Sequence, residues 1–462
     1  MTQAEWRPLS AWRQAQQPAA SLAEALAAGS ENAGAGRQAA ALWVPGRIEL
    51  FGKHTDYAGG RSLLTAIGRG MRLLVMPGRG RELCWRDLTR GLEARFDVGC
   101  CELWPGDWSN YLRAVTRRLD ADFGPLERGA EVAMVSDLPR SAGLSSSSAL
   151  IVAAFSVLAA VNPIRRHPAF VAAVGDSVTA LAGYLGAVES GAPFAGVEAD
   201  RAARQGVGTR GGSQDQTAIL GCLPGEVSQF RFAPVIREQD VVFPGDWRLV
   251  VALSGVKAKK SGKARERFNH LAALAASGVE GWRRATGGDA PHLGAALEAA
   301  GGDVEQFLRA VAAGSEHGET AQRQEIIARA RQFAIESGQL VPAATAAFAA
   351  ADDQALGALA ERSQRLAEDD LGNQLPATRA LVRAARDAGA LAASAFGAGF
   401  GGATWAVCAA SETTNFPTRW RAAYTERYRP EASREDPQKA EFLLVEPAAA
   451  AGWQAWPASP AR

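Results

Sequence analysis

Apolar positions along this chain recur in two periods, and the elements they predict alternate irregularly. Short apolar runs closed by Pro, Gly or charge read as strands: ALWV, ending at Pro45 and Gly46, then EVAMVSDLP (131–139), WRLVVALSG (247–255) and EFLLV (441–445). MRLLVMPG (71–78) and RELCWRDL (81–88) read as a strand pair joined by a turn. WSNYLRAVTRRL (108–119) has helical spacing, with Trp108, Tyr111, Leu112, Val115 and Leu119 on one side. SAGLSSSSALIVAAFSVLAAV is a small-residue loop opening an apolar helix, and PAFVAAVGDSVTALAGYLGAVESG (168–191) reads as one long helix. Residues 1–40 form an alanine-rich helical lead-in with the loop GSENAGAG, and 287–390 is mostly helical, its alanine-rich stretches reading as surface helices. The segment 191–212, rich in Gly, Ala and Arg, reads as loop. Near the end, SAFGAGFGGATWAVC is a glycine-rich turn feeding a strand. Three prolines without a sustained period mark a seam between 222 and 246, dividing the chain into domains 1–235 and 236–462.

Composition changes this picture little. With 462 residues, 47% apolar and 21% charged, two domains are expected of a globular enzyme. A net charge of +1 gives no reason to expect nucleic acid or an anionic membrane surface, so any anionic ligand must be held by local groups. The five cysteines are scattered without C-x-x-C spacing, which reads as small buried apolar residues in a reducing compartment. No secretory signal opens the sequence and no apolar run reaches the roughly 18 residues of a membrane span. A cytoplasmic protein, a monomer or weak homodimer, is the expectation.

Four segments carry candidate chemistry. GRIELFGKHTDYAGG (46–60) concentrates Arg47, Glu49, Lys53, His54, Asp56 and Tyr57 in a stretch closed by glycines. DLPRSAGLSSSSAL (137–150) brings Gly and Ser into a helix start, where unpaired N–H groups and the helix dipole favour an anion such as phosphate. A serine-rich helix cap is the plainer alternative, and no Walker A pattern occurs. GVGTRGGSQDQTAIL (206–220) sets Asp215 between glycines and an apolar run, where it would take or orient a hydroxyl proton, or simply cap a helix. FGAGFGG (396–402) spaces glycines for close backbone approach.

Taken together these segments resemble the galactokinase branch of the GHMP small-molecule kinases, in that family's order and over nearly the whole chain. PGRIELFGKHTDYAGG is similar to the signature P-G-R-x-N-L-I-G-E-H-T-D-Y-N-G-G, and LPRSAGLSSSSAL to the ATP loop P-x-x-x-G-L-S-S-S-A. GGSQDQ resembles the segment ending in M-D-Q, GAGFGGATWAV the motif G-A-G-F-G-G-C-T-V, and WSNYLRAV the helix W-x-N-Y-V-K-G-V near the adenine pocket. FLLVEPAAAAG resembles the closing strand. The resemblance implies an α+β two-domain fold: a ribosomal-protein-S5-like N-terminal domain, a ferredoxin-like C-terminal domain, and ATP and sugar in the cleft between them. It implies transfer of the γ-phosphoryl of ATP to a sugar hydroxyl, the anomeric 1-OH in galactokinases, with Mg2+.

By the same resemblance Asp215 matches the catalytic aspartate and Arg47 the arginine that keeps it a carboxylate. Gly143, Leu144, Ser145, Ser146 and Ser147 match the phosphate loop, with Trp108 and Gly399 also on the ATP side. Ser147 and Glu189 are the expected metal ligands, Glu198 being the other choice for the glutamate. His54 and Asp56 match sugar-hydroxyl contacts, and Lys53, Tyr57, Gly212 and Arg265 complete the sugar-binding set.

Departures from the signature that change its chemistry are Glu49 for asparagine, Lys53 for glutamate and Ala58 for the second asparagine. A lysine has three donors and no acceptor, so it suits a carboxylate or phosphate better than a hydroxyl. Glu49 would neutralise it, or a sugar acidic at C6 would. Aligned without a gap, a family tyrosine that reaches the sugar falls on Arg265, which would add a second cation; with a small insertion it falls on Phe268. A galactokinase-like sensor that binds sugar and ATP without turnover is the rival from another class. A mevalonate-like or homoserine-like acceptor does not fit the H-T-D-Y segment.

Overall fold

The computed structural model describes residues 3–28, 37–139, 143–197, 204–255, 262–316, 319–428 and 436–453. The GSENAGAG loop of the lead-in therefore lies outside the described residues. Among the described residues thirteen strands form two sheets. Those of the first half are β1 (Arg7–Pro8), β2 (Gln38–Phe51), β3 (Arg61–Pro77), β4 (Glu82–Asp87), β5 (Leu92–Asp97), β6 (Ala130–Ser136) and β7 (Glu226–Arg231). The rest are β8 (Ile236–Val242), β9 (Trp247–Leu253), β10 (Ala392–Ala395), β11 (Ala403–Ala409), β12 (Glu441–Val445) and β13 (Gly452–Trp453).

The first sheet has nine strands, with β1-β2-β3-β6-β4-β5 as its spine; β13 adds to β2, and the β7–β8 hairpin adds to β3. Two expectations are corrected here. The strand begun at ALWV does not end at Pro45 but continues to Phe51, because the pairing of β2 with β3 shifts register between Pro45 and Gly46. Proline lacks the ladder N–H, and a bulge is where a strand tolerates that loss. Nor do the segments at 71–78 and 81–88 pair with each other: β6 inserts between them, antiparallel to β3 and parallel to β4.

The expected helix over 168–191 is two helices, Pro168–Ala173 and Val178–Ser190. Gly175 turns the chain at φ +55°, and Ser177 starts the second helix by accepting from Ala180 N at 3.1 Å. The lead-in docks on the sheet: Leu22, Ala23 and Leu26 of the helix Ala19–Ala28 are fully buried against Ala39, Leu74 and Ala133. Three cysteines are buried as expected, but Cys100 is exposed and Cys101 half-buried.

The second sheet is four-stranded and antiparallel, β10-β11-β9-β12. It shares one core with the first: Trp405 on β11 donates its indole N–H to Leu50 O at 3.1 Å and packs against Phe51, ring centroids 5.8 Å apart. The division expected at 235/236 falls inside the β7–β8 hairpin, both strands of which belong to the first sheet. Helices Gly262–Thr286, Val304–Gly314 and Thr320–Ile335 form a separate apolar cluster that includes Ala58, and this cluster backs the loop after β2. Arg265 therefore lies in the first of these helices; residues 256–261 before it lie outside the described set.

Candidate active site

Alternation along β2 puts Arg47 and Glu49 on the same side of the strand. Both are buried. Arg47 reaches Asp215 Oδ1 through Nε at 2.7 Å and through a terminal nitrogen at 2.7 Å, and its other terminal nitrogen donates to Gly143 O at 2.7 Å. Asp215 lies in the first turn of the helix Gln214–Gly221, which Ser213 precedes without a side-chain cap. The carboxylate therefore serves the arginine and the serine loop, not a helix cap. Its second oxygen accepts from Ser145 Oγ at 2.5 Å and lies 3.2 Å from Ser148 Oγ.

The Gly-Ser turn is shaped by Gly143 at φ +70° and by Ser145, a left-handed non-glycine at φ +59°. That conformation is costly for an L side chain, and here the bond to Asp215 accompanies it. Beyond it the helix Ser146–Val161 begins, its first intrahelical bond running from Ala149 N to Ser145 O, so the N–H groups of its first turn point out of the helix end. Gly143 is exposed and Ser146 and Ser147 are half-exposed, whereas Leu144 is buried. Residues 140–142 lie outside the described set.

Next to Ser147, Ser148 reaches the expected metal glutamate: its hydroxyl donates to Glu189 Oε2 at 2.8 Å, and Gln216 Nε2 donates to the same oxygen at 2.5 Å. Glu198 lies outside the described residues. Ser148, Glu189 and Asp215 make an all-oxygen set with two carboxylates. That suits Mg2+, which takes one or two carboxylates and completes its shell with water and phosphate oxygens. No group of three or more His, Cys, Asp or Glu side chains that could hold a metal ion by themselves occurs among the described residues.

Lys53 is not turned to a ligand. It is 1% exposed; its ammonium donates to Ser363 Oγ at 2.6 Å and sits 4.0 Å from Glu336 Oε1. Ser363 in turn donates to that oxygen at 2.8 Å, and Gly52 N and Lys53 N bond to it at 2.9 and 3.4 Å. The lysine is a buried counter-ion beneath the loop, and the expectation of a substrate contact is corrected. Lys53 and Arg47 favour the ionised carboxylate of Glu49 that burial opposes; burial wins and pushes Glu49 up to about 7.

His54 also departs from expectation. Burial, aided by Arg329 nearby, holds it down to about 3, so the ring is neutral. Nε2–H donates to Ala398 O at 3.0 Å and Nδ1 accepts from Tyr57 O–H at 2.8 Å, which commits both nitrogens. Arg329 donates to Tyr57 Oη at 3.2 Å and to His54 O at 2.5 Å. His54 and Tyr57 thus tie the loop to the glycine turn, and neither ring nitrogen is left for a sugar hydroxyl. Asp56 remains half-exposed, accepts from Gln214 N at 3.1 Å, and has its carboxyl raised by burial. Gly212 must be glycine: a Cβ there would come within 2.5 Å of Asp56 Oδ2.

Phe268, not Arg265, reaches the loop after β2, its ring 5.1 Å from His54 and 5.9 Å from Tyr57. Arg265 is exposed and lies along Gly208. Trp108 is half-buried at the start of the helix Asn110–Phe123. Gly399, at φ +70°, turns beside Asn373, and Gly397 of the same turn comes near Gly143 O and Arg47. Ser148, Gln214, Arg329, Glu336 and Ser363 were missed. Ser148 was legible as the fourth serine of its run, whereas the last three sit in helical Ala/Arg/Glu sequence with no local signal.

Three family descriptions match the chain: the galactokinase galactose-binding signature over residues 34–77, the GHMP kinases N terminal domain over 110–184, and the GHMP kinases C terminal over 344–424. A galactokinase of Actinobacillus pleuropneumoniae serotype 3 (strain JL03) is 30% identical over 139 residues, 29% of this chain and 35% of that protein. A galactokinase of Roseiflexus sp. (strain RS-1) is 36% identical over 132 residues, 28% of this chain and 34% of that protein. The match thus spans about a third of the length of these curated relatives. The crystal structure of Lactococcus lactis galactokinase complexed with galactose superposes with a TM-score of 0.70 at 22% identity, over 90% of this chain and 95% of that one. That likeness fixes the fold as the two-domain GHMP kinase architecture of mixed helix and sheet.

Proposed function

Because the chain belongs to the GHMP kinases and carries the galactokinase galactose-binding signature, we propose that it is an ATP-dependent sugar kinase. It transfers the γ-phosphoryl of ATP to the anomeric hydroxyl of galactose or a close neutral sugar. The observation that carries this reading is the meeting of Arg47, Asp215 and the serine loop at one helix start.

The N–H groups opening the helix Ser146–Val161 and the dipole behind them receive the nucleotide phosphates. Ser148 and Glu189, with Asp215 beside them, would hold Mg2+, which would supply charge neutralisation for the phosphate oxygens. A loose phosphoryl transfer state needs position and electrostatics more than a strong base. Both oxygens of Asp215 are engaged by Arg47, Ser145 and Ser148. It therefore acts first as an orienting anion, and takes the hydroxyl proton as one serine lets go. Arg47 keeps the carboxylate in register with Gly143 and offers its charge to the moving phosphoryl oxygens. Asp56, on the sugar side, accepts hydroxyl hydrogens. A cytoplasmic location fits a kinase drawing on ATP; no described helix is long and apolar enough to cross a membrane.

The test is ADP release with galactose, arabinose, fucose, galacturonic acid and sugar phosphates side by side. Asp215→Asn should lower turnover about 10²–10⁴-fold with ATP affinity retained. Retained turnover in that variant removes the aspartate from the reaction. No ADP with any sugar in the parent protein returns the sensor reading.

A further inference from the structure

Two departures from the galactokinase pattern meet inside the molecule. Glu49 stands where the signature has asparagine, and Gln214 where the M-D-Q segment has methionine. Although 165 residues apart, they bond: Gln214 Nε2 donates to Glu49 Oε2 at 2.5 Å. At its other end the same amide accepts from Ser62 Oγ at 2.7 Å, and Gln214 N donates to Asp56 Oδ2 at 3.1 Å. Glu49 is 2% and Gln214 5% exposed, so water replaces none of these bonds. With Glu49 ionised the amide orientation follows from the partners, since a carboxylate only accepts.

Arg47 and Glu49 lie two residues apart on β2, and each holds one of two consecutive residues in the first turn of the Gln214–Gly221 helix. Arg47 takes Asp215 and Glu49 takes Gln214. Through Gln214 the second rung also fixes the acidic residue of the sugar loop. We propose that Glu49 is a positioning residue: with Arg47 it forms a two-rung clamp that sets Asp215 for phosphoryl transfer and Asp56 for the sugar. The function rests on the kinase reading above; the clamp itself does not.

Truncating Glu49 leaves a buried amide with no acceptor, and its readiest relief is movement of the helix start. Displacement of a reacting group by an ångström is felt as about 10²-fold in rate. Glu49→Ala should therefore lower kcat for galactose roughly 10- to 100-fold and raise the sugar KM, with the KM for ATP within about twofold, because Arg47 still holds Gly143 O of the serine loop when its bonds to Asp215 loosen. Glu49→Gln restores an acceptor and should recover kcat to within about threefold of the parent. Gln214→Ala should resemble Glu49→Ala, and the double variant should be no worse than either single one. A role in folding alone would lower the active fraction without splitting the two KM values. Unchanged kcat in Glu49→Ala, an ATP KM that rises with the sugar KM, or additive losses in the double variant overturns the clamp. A crystal structure of Glu49→Ala decides it without turnover: Asp215 and Gln214 displaced supports the clamp, both in place refutes it. The kinase reading fails separately, if the parent protein releases no ADP.

Discussion

Replacing Lys53 by methionine separates the two roles a lysine in this loop has been given. The side chains are similar in length, so Lys53→Met removes a charge with little change in volume. What it leaves behind is Glu336, fully buried, with one oxygen accepting from Gly52 N and Ser363 Oγ and the other without a hydrogen-bond partner among the described residues. Breaking a buried ion pair by removing one partner costs about 3–5 kcal/mol, mostly the penalty of the orphaned charge. Replacing both partners by uncharged groups is often neutral or better. Chemical denaturation should thus show Lys53→Met destabilised by about 3–5 kcal/mol and Lys53→Met/Glu336→Gln within about 1 kcal/mol of the parent. Sugar selectivity should not follow: the ratio of kcat/KM for galactose to that for galacturonic acid should stay within about twofold, since the ammonium faces Ser363 and Glu336. A single variant as stable as the parent, or a double variant as unstable as the single, refutes the counter-ion account. A selective loss of acid-bearing sugars refutes the burial of the lysine away from the ligand.

Gly212→Ala should raise the sugar KM about tenfold with ATP KM unchanged, because the new Cβ would meet Asp56 Oδ2 at 2.5 Å and Tyr57 N at 2.8 Å; an unchanged sugar KM removes Asp56 from recognition. The pH dependence of stability has two opposed parts. Glu49, raised from 4.5 to about 7, contributes stability that is full below pH 4.5 and lost as pH rises through 7, while Lys53, Arg47, Gln214 and Glu336 around it set the size of that shift. His54, lowered from 6.5 to about 3, contributes stability present above pH 6.5 and lost as pH falls toward 3. Denaturation midpoints against pH should show the fall between pH 4.5 and 7 flattened in Glu49→Gln and the acid-side loss reduced in His54→Asn; a profile unmoved by either contradicts these environments.

What the sequence disclosed depended on how locally each feature is determined. Arg47, Asp215 and the serine run sit in short segments whose residue types already declare their chemistry, and they were legible together. The strand through Pro45 was not, because a bulge excuses the missing N–H and only the partner strand reveals a bulge. The pair at 71–88 failed for a similar reason: β6, about fifty residues further on, offers β3 and β4 a better neighbour than each other. The fate of Lys53 was set farthest away. Its backbone N–H bonds to a carboxylate 283 residues along the chain, in a π-helical turn within otherwise unremarkable helical sequence. A lysine beside histidine and aspartate reads as ligand-binding until that partner is known.

With the lysine withdrawn, the balance of charge at the sugar side changes sign. Arg47 is taken by Asp215, and Arg329 is spent on Tyr57, His54 O and Gln332. His54 is neutral and closed at both nitrogens. Asp56 then faces the cleft near Asp215, close enough that the second carboxylate helps keep the first protonated longer. An acidic sugar placed between them would meet two carboxylates with no uncommitted cation from the sugar loop, and each like-charge contact disfavours it. Hydroxyl groups, which donate to both, meet the opposite case. Once its lysine and histidine are accounted for, the loop that looked most suited to an anion offers it no free cation.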